Sequence, residues 1–399
     1  MNLKVRWLKT IDLISVKDWN NIFNTTKIVK SYDFTKAVEQ SSLSNFQINY
    51  MVIYHRNDII AILPCFIYFI ELEILAGTKL KSLVSKLRKF YPKFLVVRIL
   101  GVGSPVATCE NHIGIASNVS NDQKKLLGSF ILNELLSFSK NNQIDLIIVK
   151  EVPENEKNNF QIIFEDKFEF YESLPNSFVP IGGAFAPYPV AFRKKYRKRF
   201  RNAIKVSNNA LIKWELVEDF ASLSDNVCDL YLNVYQKSKY KFEKLTSDFF
   251  SQINKFLPKN SFLLIAKNSD NLLLAVELVL EEENSLIPLY LGLNYENIDN
   301  TTRVYQNVIF RSLIEAEKRN KEYVVLGQTS YTPKAYSGCL FEKLYLGVYF
   351  KNTFLNLILK SIFPYLFPSF EKPFVNCYKE EFQEDLNIFM KNINRIPVK

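Results

Sequence analysis

The sequence predicts a mixed α/β protein of two similarly built halves followed by a short helical tail. Three observations carry that expectation. Of 399 residues, 48% are apolar and 14% aromatic, while Gly and Pro number only 11 and 15, so the chain has a core to bury and is neither disordered nor collagen-like. The order hairpin, third strand, helix, closing strand occurs twice. Between the two occurrences lies VPIGGAFAPYPVAF (179–192), rich in Pro and Gly as a linker is. The divisions that follow are 1–185, 186–350 and a tail, 351–399.

In the first half, the β-rich runs Tyr50–Tyr54 and Ile59–Phe69 flank the polar tetrad HRND (55–58) and read as a hairpin. Phe94–Leu100 is a third strand running into GVGSP (101–105). No helix opens there, so GVG is not a dinucleotide fingerprint. Residues 121–140 form a helix capped by Ser120 or Asn121, with Leu126, Phe130, Leu135 and Phe138 on its apolar face. Ile144–Val149 is a short apolar strand of the buried, parallel kind.

The second half opens on a helix at 193–205, then a strand at Trp214–Val217 and two helices, Ser224–Lys239 and Thr246–Leu257. Phe262–Ala266 and Leu272–Leu280 flank KNSDN (267–271), the second hairpin, and Ile287–Leu293 is its third strand. Residues 303–320 are an amphipathic helix, Tyr305, Ile309, Leu313 and Ala316 inward, Arg311, Glu315 and Lys318 outward. Tyr323–Leu326 closes the unit. The tail carries an apolar run at 351–370, broken by Pro364 and Pro368, and an acidic helix near 379–393.

Charge is concentrated. RKKYRKRFRNAIK (193–205) supplies eight positive charges of a net +10 and no negative one. Arg193, Arg197 and Arg201 recur at helical spacing and share a face, where guanidinium forks suit phosphate. Five scattered cysteines with no zinc-like spacing argue against a disulfide framework or structural metal and favour a reducing compartment. The N-terminus lacks the apolar core of a signal peptide, and the run Ile59–Ile70 falls short of the ~20 residues a span needs. The expected location is cytoplasmic, at the inner face of the membrane if it touches one.

Three stretches resemble the FemAB-like and BioF-like GNAT-type acyltransferases, peptidoglycan- and envelope-type N-acyltransferases with two GNAT-like domains in tandem. They are the basic helix at 193–205; YLGLNYENIDNTTRVYQNVIFRSLIEAEKRN (290–320); and VVLGQTSYTPKAYSGCLFEKLYLGVYFKN (324–352), with Gly327, Tyr331, Lys334 and Gly338 at family spacing. The resemblance implies a fold of two tandem GNAT-like acyl-CoA N-acyltransferase domains. It also implies transfer of an acyl group from acyl-CoA or an acyl carrier to an amine on a cell-envelope or surface-glycan intermediate. Aminoacyl transfer from aminoacyl-tRNA is the alternative within the family. A third reading is a non-catalytic module on a membrane, held by the apolar run at 351–370. Residues 297–307 contain no glycine, so a bare-amide pyrophosphate cradle is not expected at the main helix.

In GNAT-like folds the cleft opens where two parallel strands splay, here Ile287–Leu293 and Tyr323–Gly327. Past their ends lie Gly292, Asn294, Gln328, Thr329, Tyr331 and Lys334. Lys334 is expected to hold an oxyanion or phosphate and Tyr331 to donate to the oxyanion or relay a proton, as the catalytic pair. Gly292, Asn294, Gln328, Thr329 and Gly338 are expected to contact donor or substrate, with Arg303 and Tyr305 at the opening of the main helix. Arg193, Arg197 and Arg201 are the phosphate-binding candidates. His112 is a minor candidate base, and Cys339 reads as buried. No bound cofactor or metal is expected. Acyl-CoA is the candidate co-substrate, and a phosphorylated small-molecule or lipid-linked acceptor the candidate partner. tRNA and peripheral membrane contact are the alternatives, and DNA is not expected.

Overall fold

The computed structural model describes residues 2–71, 78–164, 167–182, 185, 187–239, 241–351 and 370–393. Among the described residues, fifteen strands build two mixed sheets. The first runs β1 (Leu3–Leu8), β2 (Gln47–His55), β3 (Asp58–Glu71), β4 (Val96–Val102), β6 (Leu146–Pro153), β15 (Leu344–Phe350), β7 (Glu169–Glu172), with β5 (Gly114–Ile115) paired to β3. The second runs β9 (Lys213–Val217), β10 (Ser261–Lys267), β11 (Leu273–Glu281), β12 (Ser285–Leu293), β13 (Tyr323–Val325), β8 (Asn176–Pro180), β14 (Leu340–Glu342). In each sheet one neighbouring pair is parallel, β4–β6 and β12–β13, and the other pairs are antiparallel. The repeated plan read from the sequence is therefore present, strand for strand.

One feature of the topology was not legible. The sixth strand of each sheet comes from the other half of the chain: β15 lies between β6 and β7, and β8 lies between β13 and β14. A division at 185/186 therefore leaves one strand of each sheet with the wrong half. The exchange matters for the site, because β8 reaches the end of β13. There the Leu326 amide donates to the Ser177 carbonyl at 2.7 Å and the Ser177 amide donates to the Gly327 carbonyl at 3.1 Å.

Helices pack by the apolar stripes expected, with local corrections. The first-half crossover helix, α4 (Asn121–Asn141), starts from a capping box in which Ser120 and Gln123 bond each other's backbone. Its buried stripe is Leu127, Ile131, Leu132 and Leu135, whereas Leu126, expected inward, is exposed. The four-residue step from Leu127 fixes that face against the sheet, and Leu126 lies one position off it. In the second-half counterpart, α9 (Val304–Lys318), Ile309, Leu313 and Ala316 are buried as expected. Arg311, expected outward, is half-buried, with its guanidinium on Asn208 at 3.0 Å and over the Trp214 ring. The late acidic helix is found at Gln383–Asn392. The apolar run expected at 351–370 falls almost wholly outside the described residues. Among those that are described, no helix is long and apolar enough to cross a membrane.

Candidate functional site

The parallel ladder between β12 and β13 is two residues long, Ser285 opposite Tyr323 and Leu286 opposite Val324. Beyond it the strands part, where the sequence places the fork. On the other edge of β12 the register with β11 slips between Leu278 and Val279, leaving Leu289 as an extra residue beside Pro288. Such a bulge re-aims the strand next to a site. A cavity of about 430 Å³ fills the fork, within the range of small-molecule sites. One wall is Ile287–Leu291 and 325–330. The lining also takes in Ile99, Leu146, Ile148 and Lys150 of the first sheet and the segment 107–109. The second-half helix α7 (Ser224–Lys237) contributes Tyr231, Val234 and Tyr235.

Lys334 is buried, and lines this cavity as expected, but its ammonium is already engaged. It donates to the carbonyls of Leu326 at 2.7 Å, Gly327 at 3.1 Å and Gln328 at 2.7 Å, which uses all three of its protons. Burial brings its pKa down to about 8. It clamps a turn in which Gly327, Thr329 and Ser330 all have positive φ, at 69°, 63° and 49°. Two non-glycine residues in that region store strain that the surroundings must hold. The Gln328 amide adds a bond to the Leu174 carbonyl at 2.7 Å. Expected to face a ligand oxyanion, Lys334 holds backbone carbonyls here.

The carboxylate the sequence reading missed is Glu277. It sits on β11, 5% exposed, in the cavity wall, and accepts a hydrogen bond from the Ser312 hydroxyl. Burial pushes its carboxyl up to about 7, against the opposing pull of the Ser312 bond and the Lys334 charge. The available signal was an acid inside the apolar run Leu272–Leu280, since a buried Glu is rare without a role or a partner. Two more buried acids line the space. Glu243 accepts from the Tyr290 hydroxyl at 2.6 Å, and Glu151 accepts from the amides of Thr108 and Cys109. Lys150 donates to the Ser104 carbonyl at 2.8 Å and lies 4.8 Å from the centre of the Phe242 ring.

Of the predicted site residues, Lys334, Tyr305, Gln328 and Thr329 meet in the cavity, as does Gly327 of the motif. The other predicted site residues do not line it. The Tyr331 hydroxyl turns away to the Pro175 carbonyl at 2.9 Å, and its ring packs on Phe341 and Phe370. Gly338 has φ +83°, and a Cβ there would stand 2.3 Å from Phe192, so it serves a tight turn. Asn294 ties its own loop, donating to the Leu273 carbonyl and accepting from Asn297. Arg303 caps α9 in the left-handed region, and only Tyr305 after it reaches the cavity. Arg193 precedes the basic helix α6 (Lys194–Asn209) and is held by the Tyr378 carbonyl at 2.9 Å and by Glu380. Arg197 is half-buried and Arg201 exposed, and none of the three arginines borders the cavity. His112 is buried against the Thr108 hydroxyl, and burial takes its pKa down to about 3. Burial also pushes the Cys339 thiol up to about 12, as a buried structural cysteine requires.

Gly292 has a packing role instead. A Cβ on it would meet the Leu230 Cβ and the Tyr231 amide at 2.7 Å, so the missing side chain lets α7 lie against β12. Gly292→Ala is expected to lower stability by about 1–3 kcal/mol through this overpacking, read as a fall in melting temperature. Because α7 carries Tyr231 and Val234 into the cavity, ligand affinity is expected to fall with it.

No protein-family model matches the chain, and no curated protein matches it. Solved structures do. The crystal structure of FemX superposes with a TM-score of 0.55 at 9% identity, covering 89% of this chain and 100% of that one. A conserved protein of unknown function from Bacteroides thetaiotaomicron VPI-5482 superposes with a TM-score of 0.52 at 9% identity, covering 87% and 100%. At such identities the likeness shows the fold, a tandem GNAT-like one.

Proposed function

We propose that the chain is an N-acyltransferase that deprotonates an amine acceptor with Glu277 and passes it the acyl group of an activated donor. The observation that carries this reading is a buried carboxyl in the wall of a cavity at the strand fork, whose burial pushes its pKa up to about 7. A general base works best when its pKa lies near the working pH. The amine nitrogen attacks the donor carbonyl, the bond to the leaving sulfur breaks, and the proton on nitrogen goes to Glu277. Among the hydroxyl-bearing side chains that line the same cavity, those of Tyr305 and Thr329 are assigned to the developing oxyanion. The acceptor's setting, an envelope or surface-glycan intermediate, rests on the sequence resemblance.

The test is thiol release from acyl-CoA thioesters with amino sugars, amino acids and polyamines as acceptors, on both sides of neutrality. Turnover is expected to rise with pH through a midpoint near 7, as Glu277 loses its proton. Aminoacyl-tRNA is run in parallel as the alternative donor, favoured by the exposed Lys194, Lys195, Lys198, Arg201 and Lys205 of α6. Transfer from tRNA alone would replace the thioester in this reading. Transfer from neither donor would end it.

A further inference from the structure

The cavity's lining carries charged and hydroxyl-bearing side chains over most of its extent and one stretch that is wholly aliphatic. From Lys150 the lining continues along β6 to Ile148 and Leu146, alternate residues on one face of the first sheet. Ile99 on β4, Ile70 on β3 and Leu346 on β15 extend the same surface. None of these five aliphatic side chains carries a polar atom. At ~3.3 Å per residue, the stretch from residue 150 to residue 146 is about 13 Å long. An acetyl group has no use for an apolar surface of that length beside the charged fork.

We propose that this arm holds the alkyl chain of a medium- or long-chain acyl donor, with the reacting carbonyl at the Glu277 end. The inference rests on the acyl-transfer reading and deepens it by naming the class of acyl group. A linear chain fits the observations because the apolar side chains follow one strand, away from the charged end at Lys150 and Glu151.

The test is calorimetric binding of acetyl-, octanoyl- and lauroyl-CoA to the full chain, without acceptor. Affinity is expected to rise about fourfold per added methylene (~0.8 kcal/mol) until the arm is full. Ile148→Trp, which blocks the arm midway, is expected to abolish that gain, so that octanoyl- and lauroyl-CoA bind no more tightly than acetyl-CoA does. Ile148→Ala is expected to keep or lengthen the preferred chain, and covers the case in which the Trp variant does not fold. Equal affinity for all three donors overturns the proposal whatever the variants do. A chain-length gain in binding with no thiol release on any amine leaves the arm standing and removes the acyl-transfer reading.

Discussion

Glu277→Gln is expected to lower turnover by about 100- to 10,000-fold, the usual contribution of a positioned general base. It is also expected to make the protein more stable above neutral pH. Gln keeps the shape of Glu and an oxygen that accepts from Ser312, so the fold is preserved while the proton acceptor is lost. The stability effect follows from the direction of the shift. The carboxyl rises from 4.5 to about 7 on folding, so between those values the native state holds a proton that the unfolded chain has released. Native stability therefore falls as pH rises through that window, by about 3 kcal/mol in full. The Gln variant lacks this dependence. Melting temperatures of the two proteins should converge near pH 4 and separate above pH 7, with the variant higher. A gain in stability paired with a loss of rate is what a group kept for chemistry at the expense of folding gives. Retained turnover in the variant would remove Glu277 as the base, and a lower melting temperature at pH 8 would mean its carboxylate is held by a partner.

The contrast between Glu277 and Lys334 shows what the sequence could and could not convey. Apolar runs at 287–293 and 323–326, each closing on a glycine, were enough to place the fork and to bring Tyr305, Gln328, Thr329 and Lys334 to it. A strand pattern treats one acid in an apolar run as noise and so does not mark Glu277, although burial there is what raises its pKa. For Lys334 a sequence reports the charge and not where its protons point. Its acceptors are carbonyls six to eight residues back, exposed by a turn with three positive φ values that residue types did not announce. The strand exchange lay further out of reach. β8 and β15 have ordinary strand compositions, and their partners β13 and β6 are far away in the chain. Periodicity identifies a strand, not the sheet that takes it.

Lys334→Met tests whether that lysine acts through the turn. The side chain keeps its length and loses all three donors, so the carbonyls of Leu326, Gly327 and Gln328 lose their shared ammonium. Two effects compete. Burial of the charge, which takes the pKa from 10.5 to about 8, disfavours the wild-type fold below pH 8 by about 3 kcal/mol, a burden that lifts as pH rises from 8 towards 10.5. Each bond from a charged donor is worth about 1.5–3 kcal/mol. The pKa shift already includes those bonds, and what Met adds is three buried or half-buried carbonyls without their donor, each costing about 1–3 kcal/mol, so the variant is expected to melt lower. Without the clamp, Thr329 and Ser330 can relax from their positive φ, carrying Thr329 and Gln328 off the cavity wall. A shift of about 1 Å there would reduce turnover about 100-fold. The pH profile separates this positioning role from a purely structural one. Wild-type turnover should fall above pH 8 as the ammonium loses a proton to solvent, and Lys334→Met should lack that falling limb. Hydrogen exchange at 326–330 should quicken in the variant. Lost turnover with unchanged exchange and melting would instead return Lys334 to direct contact with the reacting group.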